Sequence, residues 1–401
     1  MTAQSSALNE WAGFIDQVIE ASGVSCEIEF PSGETRRFGT GEPRFRLVFH
    51  STRVLKRSFD ELSLGQAYVD GEFDIHGDMM SLLDLRAHLK DKVVLPILAK
   101  FWLQFIFRSP TWINRKSIPA HYNFGDDFFL SFIDKKYRIY SHCLFHSDNE
   151  SLEQAVEHKL ETMYEELELE PGMRLLDIGC GWGGVIEYCG GRGVQVTGVT
   201  LAENSYNYCT NLIRTNNFNS CEIHLEDFLN HRPKEPYDAI VIYGVIEHIP
   251  YYQRFFERVW DCLRPGGLLY LDASASIEKY DVSDFARRYI WHGTHAFMCL
   301  QDLIRELLFH GLELVRVTQE TRDYELTMSH WAQRFEANQE EIIERWGEQV
   351  YRAFRMYLWG GCHDMRSHNL QAYHLVARRR NDPGPRPGLM RRVKHMIQGL
   401  A

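Results

Sequence analysis

Three stretches hold residue types that could do chemistry. The first is "DIGCGWGG", Asp177 to Gly184. Gly179 and Gly181 let the backbone turn tightly and approach a ligand closely. A dinucleotide loop would cradle pyrophosphate on a helix N-terminus. Here an acid, Asp177, precedes the glycines, which suits a cationic or amino-acid-bearing ligand better than a phosphate. The second is "LEDF", where Asp227 either accepts a hydrogen bond from an aromatic amino group beside Phe228 or simply caps a helix. The third is "RIYSHCLF", Arg138 to Phe145, an unusual run of Tyr, Ser, His and Cys ahead of the glycine loop.

Short apolar strands must position these residues. From Pro171 the runs "RLLDIG", "VQVTGVTL", "CEIHLED", "YDAIVIYG", "GGLLYLDAS", "LELVRVT" and "QAYHLVARR" follow in order, with helices between them. That alternation predicts an α/β fold: a doubly wound, mostly parallel, Rossmann-like sheet over residues 171–380. Insertions at 276–300 and 320–368 interrupt it as helical caps. Residues 1–90 read as a small α+β domain. Its strands are "CEIEF", "RFRLVFH" and "FDIHG", and its helix begins at Ser58 and breaks near Gly71. Residues 91–170 read as helices forming a linker and lid, the last with Leu152, Val156, Leu160 and Met163 on one face. Residues 381–401 are a basic tail.

The net charge of −11 argues against a nucleic-acid partner. The N-terminus lacks the pattern of a signal peptide, and nine scattered Cys suggest reduced thiols in a cytoplasmic protein. No metal site is expected from the spacing of the 18 His and the Cys; His292 and His295, three apart, lack a third ligand nearby. No run reaches the length of a membrane span. The nearest, Val93 to Phe107, is either a core helix or a helix lying on a membrane surface. The basic tail is either solvated or in contact with anionic lipid. A homodimer is left open.

An acid followed by G-x-G, after a strand and ahead of "YDAIVIYG", is the loop of methyltransferases that use S-adenosylmethionine (SAM). "YSHCLF", "LLDIGCGWGG", "VIEHI", "FARRYIW" and "DYELTMSHWAQRF" occur in that order. Together they resemble the cyclopropane fatty-acyl-phospholipid synthase family, from about His121 to Arg379, and "LGQAYVDGEFDI" resembles the N-terminal unit of its longer members. The resemblance implies that Tyr140 and Ser141 form a lid over SAM and that Trp182, Thr200 and Leu201 line it. The family's ribose turn commonly has Ser and Gln where this chain has Ala202 and Ser205.

Family members methylate an acyl-chain double bond and remove a proton from the resulting carbocation. Positioning, cation stabilisation and a base are all needed. The family's base is a bicarbonate held by Cys, Glu, His and Tyr. Glu247 and Tyr324 match two of these positions. At the other two stand His142, with Cys143 one place late, and Asp272. Bicarbonate is therefore in doubt. His142 and Asp272 are expected to pair, with the Asp orienting the imidazole as the base; alternatively Cys143 faces the pocket and His142 faces solvent. His292 and His295 line the acyl channel or its rim, and His248 supports the Glu247 loop. The expected activity is SAM-dependent methylation of unsaturated phospholipid acyl chains. It gives a cyclopropane or a methyl- or methylene-branched product, with the enzyme peripherally associated with the membrane. N-methylation of a soluble amine, or a non-catalytic SAM- or lipid-binding role, are the alternatives.

Overall fold

The computed structural model describes residues 3–88, 124–249, 251–291, 295–381 and 389–398. The Val93 to Phe107 segment, His292 and the "HYN" of the first matching motif lie outside them. The described residues form two compact units.

The first unit draws on three stretches: the N-terminal residues, Ser283–Trp291 and Ala332–Asp364. Strands β1 (Cys26–Glu29), β2 (Thr35–Phe38), β3 (Phe45–Phe49) and β4 (Phe73–Gly77) form a sheet in the order β2-β1-β3-β4. β1 and β3 run parallel; the other two pairings are antiparallel. The helix Ala3–Ser22 places Ile15, Val18 and Ile19 on one stripe against Ile28, Phe45 and Leu47. β2 is absent from the sequence reading because "TRRF" lacks the alternation of a half-buried strand. The next helix, Glu61–Val69, starts after Asp60 rather than Ser58, since the Asp60 carboxylate accepts from Ser63 N at 2.8 Å. Gly65 on that helix lies against Phe285; a Cβ there would stand 2.6 Å from the ring. Arg352 ties the third stretch in, donating to the carbonyls of Tyr68 and Phe73 at 3.2 and 2.9 Å.

The second unit holds the large sheet: β5 (Arg174–Ile178), β6 (Gln195–Thr200), β7 (Glu222–Leu225), β8 (Tyr237–Tyr243), β9 (Leu263–Ala275), β10 (Leu312–Gln319) and β11 (Gln371–Arg379). All seven runs expected from the sequence are strands. Their order is β10-β11-β9-β8-β5-β6-β7, parallel except for β11, which runs antiparallel to both neighbours. Leu176, Ile240, Ile242, Leu269 and Leu271 are fully buried between the helical layers, as the near-continuous apolar strands require. The chain winds outward from β5 to β7 and then returns to β8 on the other side of β5. That reversal opens a crevice at the carboxyl ends of β5 and β8, the usual ligand site of such sheets.

Residues 131–151 are not helical, contrary to expectation. One buried carboxylate organises the start of this loop: Asp134 accepts from the backbone N–H of Tyr137, Arg138 and Ile139 at 2.6, 2.9 and 2.7 Å. Arg138 is consequently left-handed, with φ 58°. The helix Leu152–Glu166 follows, begun by a capping box between Ser151 and Gln154. Its four expected apolar residues are buried.

Candidate active site

The glycine loop leaves β5 after Ile178. Gly179 has φ +76°, and a Cβ there would meet Val245 at 2.4 Å, so only glycine fits. Gly181 has φ +49° and open space where its Cβ would be, a cradle left for a ligand. Asp177, at the end of β5, is buried with no protein partner on Oδ2. Burial pushes its carboxyl up to about 7. Ionising it without a partner costs on the order of 4 kcal/mol, which a cationic ligand would offset. Trp182 walls the loop, donating from Nε1 to Asp126 at 2.8 Å and lying edge-on to Tyr140 at 6.5 Å.

At the end of β6, the Thr200 hydroxyl accepts from Ala202 N at 3.1 Å, shaping the turn at Leu201, and Ser205 is buried in the helix Glu203–Thr215. After β7, Asp227 caps the short helix Phe228–Asn230 by accepting from Leu229 N at 2.9 Å. The helix-cap role is thus realised, and Phe228 is buried against Phe255, 5.6 Å between centroids.

Each residue of the Tyr-Ser-His-Cys run has a distinct partner. Tyr140 stacks on Trp331 at 5.1 Å. The Ser141 hydroxyl reaches both Asp272 oxygens at 3.1 Å and accepts from Lys159 Nζ at 3.0 Å. His142 Nε2 lies 2.6 Å from Glu320 Oε2. Cys143 N donates to Thr327 Oγ1 at 2.9 Å.

The expected His142–Asp272 pair does not form. Asp272 is fully buried, ion-paired with Lys159 and accepting from Gly244 N at 2.8 Å as well as from Ser141. Its carboxylate is saturated by a cation and two neutral donors, so no room remains for the imidazole. The solvent-facing alternative fails too, because His142 and Cys143 are both buried. Burial raises the Cys143 thiol well above its ordinary value, which keeps it protonated and inert.

Glu247 sits in the turn Ile246–His248 after β8. Its Oε1 accepts from Ser274 N and Oγ at 3.0 and 2.8 Å, while the buried Oε2 has no protein partner. Burial pushes this carboxyl up to about 7. Burial likewise lowers the neighbouring His248 to about 4, leaving it neutral, with its ring 5.4 Å from that of His295. Tyr324, one turn into the helix Thr321–Ala337, lies 5.0 Å from the His142 ring. A four-residue anion cradle does not fit this geometry. Asp272 is a carboxylate engaged by Lys159, and His142 is tied to a second carboxylate, Glu320.

Sequence reasoning missed Lys159, Glu320, His374 and Ser274. Lys159 had a signal: it falls on the apolar stripe of Leu152, Val156 and Met163, where a solvated lysine does not belong. His374, within the buried strand "AYHLVA", had a similar one. Glu320 had none. One group was overlooked for metals: among the described residues, ligand atoms of His146, Glu150 and His158 lie within 4.8 Å of one another. The two rings are stacked at 3.7 Å, and Glu150 accepts from His146 N at 2.8 Å.

The orphaned Asp177 oxygen and the open cradle at Gly181 fit the amino-acid end of SAM, at the switch point where this sheet binds ligands. Fold and loop together define a SAM-dependent methyltransferase. The chain belongs to the mycolic acid cyclopropane synthetase family, whose sequence model matches residues 111–375. A family of unknown function matches residues 14–95. The cyclopropane-fatty-acyl-phospholipid synthase of Escherichia coli K12 is 31% identical over 83% of this chain and 87% of its own. A sphingolipid C9-methyltransferase of Komagataella phaffii is 24% identical over 84% of this chain and 72% of its own. The crystal structure of mycolic acid cyclopropane synthase CmaA1, complexed with SAH and CTAB, covers 65% of this chain and 97% of its own at TM-score 0.61 and 26% identity. The chain is therefore an enzyme, and SAM is its cofactor.

Proposed function

We propose that the enzyme methylates a double bond in an unsaturated acyl chain of a membrane phospholipid. The observation that carries the reading is Glu247. A buried carboxylate with one oxygen held by Ser274 and the other unpartnered is prepared for a positive charge that develops on the substrate. An amine would also turn cationic on methylation, so the choice of an acyl chain rests on the family and on the phospholipid synthase among its relatives. SAM supplies an electrophilic methyl group, and the positive charge left after its transfer lies on the acyl chain. Asp177 and the glycine loop hold the cofactor, and Tyr140 and Ser141 close over it. Asp227 and Phe228 flank its adenine, and Thr200, Leu201, Trp182 and Ser205 line the rest. Phe129, Phe132, Tyr140 and Trp331 pack together as an aromatic cluster around the Tyr-Ser-His-Cys run, an apolar environment of the kind an acyl chain requires.

Support for a membrane-bound substrate comes from the helix Leu389–Gln398. It docks through His395, which lies 2.7 Å from Glu306 and stacks on Phe309 at 3.7 Å. Met390 is 81% exposed beside Arg391 and Lys394, an amphipathic surface suited to anionic lipid. Among the described residues no helix is long and apolar enough to cross a membrane. Incubation with vesicles of unsaturated phospholipid and SAM tests the reading by mass spectrometry of the lipids. A product one methylene heavier is expected. Unchanged lipid, with SAM turned over on a soluble amine instead, would refute it.

A further inference from the structure

We propose that Glu320 orients His142 as the base that removes the proton from the substrate cation, in place of a bound anion. The inference deepens the proposed function and rests on it.

Glu320 immediately precedes the helix Thr321–Ala337, and its carboxylate is buried. One oxygen lies 2.6 Å from His142 Nε2; the other is paired with His374 Nδ1. His374 Nε2 lies 3.0 Å from Glu166 Oε2, and the ring stacks on Tyr270 at 4.8 Å. An imidazole between two carboxylates carries a proton on both nitrogens. His374 is raised to about 9 despite its burial, because Glu166 and Glu320 favour its charged form. Glu320 in turn is held down at about 2 against its own desolvation, by its hydrogen bonds to His142 and His374. It is therefore ionised and can only accept.

That fixes the tautomer of His142. Its Nε2 must donate, so in the neutral ring Nδ1 keeps the lone pair. Nδ1 is buried and has no protein partner. Lys159 donates to the His142 carbonyl, which anchors the backbone. Ser141, the preceding residue, lies against Gly244, just past the end of β8, in the strand-to-turn connection that leads to Glu247. Of the other groups nearby, Cys143 stays a thiol, Asp272 is saturated and Asp323 accepts from Phe145 N at 2.7 Å, while Glu247 is assigned to the charge of the cation rather than to its proton.

The step balances. The alkene π pair forms a bond to the methyl carbon, and the sulfur–carbon bond breaks with its pair left on sulfur. The charge passes to the adjacent chain carbon. His142 Nδ1 takes a proton either from the transferred methyl carbon, whose C–H pair closes the three-membered ring onto the cationic carbon, or from the chain carbon next to the cation, whose C–H pair forms a double bond. The imidazolium so formed faces the Glu320 carboxylate, and its proton is later lost to water.

The test uses the full chain, SAM and unsaturated phosphatidylglycerol vesicles, with buffers made with and without bicarbonate. Wild type should run at the same rate in both. Glu320→Gln should lower kcat about a hundredfold, with KM and SAM affinity unchanged, and Glu320→Asp should recover part of the loss. A second readout does not need turnover: ¹⁵N NMR, with the His142 signal assigned by its loss in His142→Gln, should show Nε2 protonated and Nδ1 bare in wild type and a changed tautomer in Glu320→Gln. A rate that collapses without bicarbonate, wild-type kcat in Glu320→Gln, or a protonated Nδ1 at neutral ring charge each overturns the proposal. Failure of wild type to methylate the vesicles refutes the substrate reading instead, and the NMR result still decides the dyad.

Discussion

At the scale of single residues, two buried carboxyls stand out, and the proposed function gives each a role. Asp177 and Glu247 each have an oxygen without a protein partner, and burial pushes both up to about 7. For Asp177 the consequence is a pH-dependent affinity. The ligand binds the ionised carboxylate, so SAM binding should be full above about pH 7 and weaken as pH falls through it, by up to about tenfold per pH unit. Calorimetric titration between pH 5.5 and 8.5 measures this, and Asp177→Asn should bind weakly with a flat profile. Glu247→Gln should leave SAM binding intact and reduce turnover on the order of a hundredfold, because it removes only the charge that answers the cation. The residue types were legible: an acid ahead of paired glycines and a Glu at a strand end carry their meaning locally. Their partners were not. Asp272 lies 113 positions from Lys159, and His142 lies 178 from Glu320.

At the scale of elements, the loop before the helix Leu152–Glu166 is held by carboxylates rather than by helical periodicity. Asp134 collects four backbone donors at 2.6 to 3.1 Å, and burial raises its pKa although those bonds oppose it. Asp134→Ala should leave several buried N–H groups unpaired, destabilising the loop by about 2 to 4 kcal/mol and raising the SAM Kd, as thermal melts with and without SAM would show. The joint between β11 and Glu320 behaves in the opposite sense to an acid-labile carboxyl. His374 rises from 6.5 unfolded to about 9 folded. Its contribution is complete below pH 6.5 and lost as pH rises through 9, worth on the order of 3 kcal/mol. Denaturant midpoints should therefore fall across that window in wild type and stay flatter in His374→Gln, which should itself be less stable near neutrality.

At the scale of the whole molecule, the basic tail ends in a helix docked on the large-sheet unit, with an apolar and basic surface outward. Changing Arg391 or Lys394 to Gln should weaken binding to anionic vesicles by about 1 kcal/mol each, read by flotation, without touching the His395–Glu306 contact. The α/β class, all seven strands of the large sheet and the glycine loop followed from the sequence, because strand periodicity and turn chemistry act over a few residues. So did the apolar face of the helix Leu152–Glu166. The tertiary structure alone decided that Asp272 serves Lys159 and Ser141, that Glu320 and not Asp272 contacts His142, and that Ala332–Asp364 joins the N-terminal unit. The physical reason is one of range. Propensity and pattern are local, whereas a buried charge is answered by whichever opposite charge the fold brings within about 3 Å, and nothing in the neighbouring sequence names it.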